Sequence, residues 1–140
     1  MSTALWLYYR EGETASSDQE DLITLYRHAE KLDRICRSLS LTPLSEYHDF
    51  TDAAFNLSNE ELPDGMSSTV DLMKVQGSWH SVTDGVSVFS SLLQWLEDNP
   101  TRFGFLGNDY KEILGELRQC LKSLRSKEAS DCEFTLCVVQ

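Results

Sequence analysis

Both ends of this chain carry short apolar segments of strand-forming composition, and they restrict its architecture more than anything between them. In residues 4–9 (ALWLYY), Ala4, Trp6 and Tyr8 alternate with Leu5, Leu7 and Tyr9, so both faces of an extended segment are apolar. Such a strand has no solvent side and must lie inside a sheet or beneath helices. Residues 132–139 (CEFTLCVV) are β-rich, and Phe134, Leu136 and Val138 alternate onto one face. The simplest arrangement pairs the two segments and closes the chain on itself. With 140 residues, one domain spanning 1–140 can bury roughly 68% of its unfolded surface. The expected class is α+β: three main helices on a small antiparallel sheet that includes the N- and C-terminal strands.

Three helical stripes lie between the ends. Residues 11–17 (EGETASS) read as a surface loop, and Ser17 with Glu20 forms a capping-box pattern that starts a helix near Asp18. Leu22, Leu25, Tyr26, Ala29, Leu32, Cys36 and Leu39 then recur at three- and four-residue spacing until Pro43. Ser81 with Asp84 marks a second start, followed by Val82, Val86, Phe89, Leu93 and Leu96. Asp84 is the sole charge from Val82 to Leu96, so this helix is expected at the centre. Phe103, Phe105 and Leu106 are expected to tuck inward in the following connection. Asn108 caps a third helix with Tyr110, Ile113, Leu114, Leu117, Cys120, Leu121 and Leu124 as its stripe.

Residues 44–80 have no sustained period. A helical turn at 59–62 and a segment at 69–75 are possible, but the region reads as an ordered, mostly irregular excursion over the core. It is also where the charge lies. The chain carries a net charge of −11, and between 44 and 73 there are seven acids and no Lys or Arg. Residues 1–43 hold seven acids against five bases, and 74–140 hold nine against seven. A field this one-sided repels nucleic acid and anionic lipid and attracts a basic partner.

Other classes fall away. The longest apolar run, 4–9, is far short of the ~20 residues that cross a bilayer. It also lacks the basic start and small-residue cleavage site of a signal peptide, so the expected compartment is the cytoplasm. Cys36, Cys120, Cys132 and Cys137 form no CxxC pair and match no zinc-site spacing; buried free thiols are expected. There is no GxSxG and no GxxxxGK[ST]. The basic stripe Arg118, Lys122, Arg125 is expected to be a solvated helix face. No cofactor and no metal are expected.

Two sets of residues remain as candidates. Among the acids of 44–73, Asp49, Asp52, Glu60, Glu61 and Asp64 would supply charge to a protein interface, with Tyr47 and Phe50 as aromatic anchors inside a charged rim. The alternative is a small enzyme or ligand-sensing domain with a pocket built on His48, Trp79 and His80. His48-Asp49 with Asp52, and with His28 added, is similar to the metal-holding pattern of HD-type phosphohydrolases. Without the helices on which such sites are built, a structural role is the stronger reading.

The plan Trp6-Leu7-Tyr8, Pro43-Leu44…Phe50-Thr51-Asp52, Trp79…Gly85-Val86…Phe89 and Phe134-Thr135-Leu136 resembles families of small bacterial cytoplasmic proteins of uncharacterised function. In charge, size and architecture the chain is also similar to acidic immunity proteins, which mask the basic active site of a toxin. That resemblance implies a non-catalytic domain that binds a basic protein partner, in its sharpest form a bacterial toxin, with no nucleic-acid or membrane partner.

Overall fold

The two ends pair. In the computed structural model, which describes residues 3–140, β1 (Ala4–Glu11) and β5 (Glu133–Val139) form an antiparallel ladder from Ala4 opposite Val139 to Arg10 opposite Glu133. The class is α+β, with six α-helices and a five-stranded sheet among the described residues. The outer edge is β2 (Thr14–Ser17), joined to β1 by a two-residue turn in which Gly12 takes φ +60°. A tight hairpin needs that sign of φ, which glycine adopts without steric cost. The segment expected as a loop is therefore mostly strand. On the far edge of β5, β3 (His48–Asp49) runs parallel to it, and β4 (His80–Ser81) runs antiparallel.

Alternation along the strands divides the core in two. Leu5, Leu7, Tyr9, Phe134, Leu136 and Val138 face the larger cluster, built with α1 (Ile23–Arg27), α2 (Ala29–Ser38), α5 (Val82–Asp98) and α6 (Tyr110–Lys127). Tyr8 and Cys137 face the other way, where Trp6, Val70, Trp79 and Val139 pack around Met73. That face is covered by α4 (Thr69–Gln76), which lies against α3 (Thr51–Leu57). A sheet covered on both sides explains why β1 is apolar on both faces.

The first helical stripe is two helices. Leu22 exchanges backbone hydrogen bonds with Leu5, which keeps it extended and delays the helix to Ile23. Ser17 and Asp18 accept from Gln19 and Glu20 in local turns and form no capping box. The N-terminus of α1 is instead capped by Glu116 of α6, whose carboxylate accepts from the backbone N–H groups of Thr24 and Leu25 at 3.1 and 3.0 Å. The break at His28 coincides with a ring fixed by Asp109 at 2.8 Å and set edge-on to Phe103.

The start of α5 is as expected, whereas α6 has Asp109, not Asn108, at its N-cap position. Ser81 accepts from the Asp84 N–H, and Asn108 accepts from the N–H groups of Phe103 and Tyr110. The connection between them differs from expectation. Phe103 is fully buried, but Phe105 and Leu106 are 92% and 94% exposed. Asn108 and the Arg102 side chain hold that turn, the latter by donating to the carbonyls of Gly104 and Phe105. The excursion is also more regular than expected. It contains a 3-10 turn (Leu44–Tyr47), β3, α3 and α4, helices of seven and eight residues that are too short to display a stripe.

Helix α5 approaches the sheet most closely at Gly85. A Cβ there would lie 2.5 Å from Phe134 Cε1, and that ring is fully buried among Tyr47, His80 and Phe89. Gly85→Ala should therefore lower unfolding stability by about 1–3 kcal/mol through overpacking. Gly115, in the exposed middle of α6, would meet nothing within 4 Å. Gly115→Ala should raise stability by about 0.5–1 kcal/mol. Urea unfolding of the two variants checks the contrast in sign.

Candidate functional site

The predicted interface residues do not share one surface. Tyr47 is 4% exposed, its ring 5.0 Å from His80 and 5.2 Å from Phe134. The 3-10 turn aims it at the core, so it cannot anchor a partner. Asp49 is also 4% exposed. Its carboxylate accepts from the Thr51 N–H and hydroxyl at 3.1 Å and from the Ser78 N–H at 2.9 Å. A buried carboxylate with three donors holds two segments together and offers no charge to an outside partner.

The remaining acids stay outside. Glu46, Glu60, Glu61 and Asp64 are exposed, the last three in the connection from α3 to α4. Phe50 is 52% exposed, and Leu57 is also exposed. Asp71 accepts from the Ser67 N–H and is paired with Lys74 at 3.2 Å, and these contacts hold its carboxyl below the usual range. Among the described residues the Arg side chains that form ion pairs go elsewhere: Arg10 to Glu133, Arg27 to Asp109, Arg34 to Glu30 and Arg118 to Glu97. None of them reaches Glu46, Asp52, Glu60, Glu61 or Asp64.

His48, Trp79 and His80 are likewise separated. His80 sits in β4 opposite Phe134, towards the larger core, whereas Trp79 lies in the smaller cluster on the other face. Consecutive residues of an extended chain point opposite ways, which divides this pair. Trp79 donates to the Met73 carbonyl at 2.9 Å and carries the Arg10 guanidinium over its ring at 4.9 Å. His48 is buried beside Tyr26 and Phe50. Nε2 of both His48 and His80 has no hydrogen-bond partner among the described residues. Four cavities among the described residues are lined by none of the three. The HD-like grouping is also dispersed: His28 bonds Asp109, Asp49 bonds Thr51 and Ser78, and Asp52 bonds Thr69. Among the described residues no three His, Cys, Asp or Glu side chains gather as a metal site.

The best-formed concavity lies on the smaller face of the sheet. It encloses about 390 Å³ between α4, the strands and the start of α1. Trp6 and Tyr8 of β1, with Val70 and Met73 of α4, provide apolar walls, and Asp21 and Asp52 stand at its margin. The Trp6 indole N–H donates to Asp21 at 2.6 Å. Asp52 accepts from the Thr69 hydroxyl at 2.5 Å and from Asn56 at 3.3 Å. Burial, with Cys137 and Asp52 nearby, raises the Tyr8 pKa. Trp6, Tyr8 and Asp21 were not among the sequence candidates. The available signal was the second apolar face of β1, which has to be covered by something and is covered incompletely.

The cysteines are free, and burial pushes their thiols up: Cys36 to about 11 and Cys137 to about 12. Thiols held so far from ionisation are poor nucleophiles.

Two outcomes follow from the buried polar groups. Asp49→Ala leaves three donors without an acceptor and should cost about 2–4 kcal/mol of stability. Burial lowers the His48 pKa from 6.5, so below that value the unfolded chain binds a proton that the native state refuses. Stability should therefore fall as pH drops through 6.5 and level off beneath the native pKa. His48→Phe should remove that part of the slope, as urea midpoints at about pH 7.5 and about pH 5.5 would show.

No family model, curated protein or solved structure matches this chain. Among the described residues no helix is long and apolar enough to cross a membrane.

Proposed function

We propose that this chain is a non-catalytic binding domain that uses the acidic face around α3 and the α3–α4 connection to hold a basic protein partner. One observation carries the reading. Glu60, Glu61 and Asp64 are exposed and, among the described residues, no cation pairs with them, while Phe50 and Leu57 at the two ends of α3 are exposed as well. Like charges held together repel one another, and an arriving cationic surface relieves that repulsion. Apolar side chains inside a charged rim then supply contact area once water is expelled.

The corrected interface comprises Phe50, Leu57, Asp52, Glu60, Glu61 and Asp64, without Tyr47 and Asp49. Its sharpest form is an immunity protein that neutralises a toxin by covering a basic active site. The field would speed capture of such a partner to roughly 10⁸–10⁹ M⁻¹s⁻¹ and would disfavour nucleic acid and anionic membranes.

The test compares affinity capture by the wild-type chain and by a Glu60→Gln, Glu61→Gln, Asp64→Asn variant at about 0.05 M and about 0.5 M salt. The wild type should retain a basic protein at low salt and release it at high salt. The variant should bind several-fold more weakly at low salt and lose most of its salt dependence. Equal capture by both proteins would overturn the proposal.

A further inference from the structure

We infer that the cleft between α4 and β1 receives an arginine side chain from the partner. This inference rests on the acidic-face reading and names where that face has depth. At about 390 Å³ the cleft lies near the small end of ligand sites, which suits one large side chain better than an extended ligand. Its walls are apolar and aromatic, from Trp6, Tyr8, Val70 and Met73. Its charged lining is of one sign, Asp21 and Asp52, with no Lys, Arg or His among the lining residues.

A guanidinium satisfies this combination. Its flat, weakly hydrated face stacks on an aromatic ring, its edge donates to carboxylates, and its aliphatic stem covers apolar wall. An anionic group would meet two carboxylates, and a purely apolar one would bury their charge without a counter-charge. Asp52 links the cleft to the acidic rim, because α3 carries it and also leads into the segment holding Glu60, Glu61 and Asp64. The Asp52 carboxylate is oriented by Thr69 and Asn56, and that of Asp21 by the Trp6 indole. The acceptors are thus placed before the partner arrives.

The Trp6 indole N–H, bonded to Asp21 at the cleft margin, is the reporter. The probe is N-acetyl-arginine amide titrated into ¹⁵N-labelled protein, with N-acetyl-glutamate amide as control. The arginine probe should move the Trp6 indole resonance, leave the Trp95 indole in place and be weakened about tenfold by Asp52→Asn. Val70→Trp, which fills the cleft from the half-buried surface of α4, should abolish the response while the other amide resonances stay native. No movement of Trp6, equal movement with the glutamate probe, or an undiminished response in both variants would overturn the assignment. The wild-type protein, carried through both the capture assay and the titration, separates the two readings. Salt-dependent capture without a Trp6 response removes the cleft alone. A Trp6 response without salt-dependent capture removes the acidic-face reading, and with it the partner as the source of the arginine.

Discussion

The β1–β5 ladder is the contact on which the remaining structure depends. It joins the two ends of the described chain at the centre of the sheet and presents one apolar face to each side. The central pair of strands is thereby buried on both sides, and every helix has a hydrophobic surface to cover. Two further short strands complete the free edge of β5. The residues that set those strands in place are the buried Tyr47, His48 and Asp49, drawn from a stretch that is otherwise the most acidic of the chain.

What the sequence disclosed follows from how its signals arise. Strand pairing of the termini and the stripes of α5 and α6 were legible because each involves many residues repeating one period. The single long first helix was an over-reading: the stripe from Leu22 to Leu39 is continuous, and the interruption at His28 involves Asp109 and Phe103, far away in sequence. The N-terminal cap was misplaced for the same reason, since Glu116 provides it from another helix. Phe105 and Leu106 show the limit of hydrophobicity as a guide to burial, because a turn held by Asn108 and Arg102 can present apolar side chains to water.

At the candidate site, composition identified the charged segment but not the direction of its side chains. Asp49 and Asp64 are the same residue type, yet one is buried and satisfied by three donors and the other faces solvent. The cleft was illegible because its walls come from β1, β5, α1, α3 and α4, brought together only by the fold. Charge accumulation and surface concavity therefore meet at the segment that crosses the smaller face of the sheet. That face is covered by the short α4, whereas the other carries α1, α2, α5 and α6 and takes in Ala53 of α3. Recognition elements commonly occupy such thinly covered regions, which are easier to adapt than a dense core.

Pairing Ala4 with Val139 also has a kinetic consequence. The first strand of the sheet emerges from the ribosome long before its second neighbour, β5, exists, and closing so distant a contact is entropically slow. During synthesis, a segment as sticky as ALWLYY must wait with both faces uncovered. Helical hairpins such as α5 with α6 can form early from local contacts. The native topology requires β5 to be laid beside β1, so the interval exposed to misassembly is the time between translating these two strands.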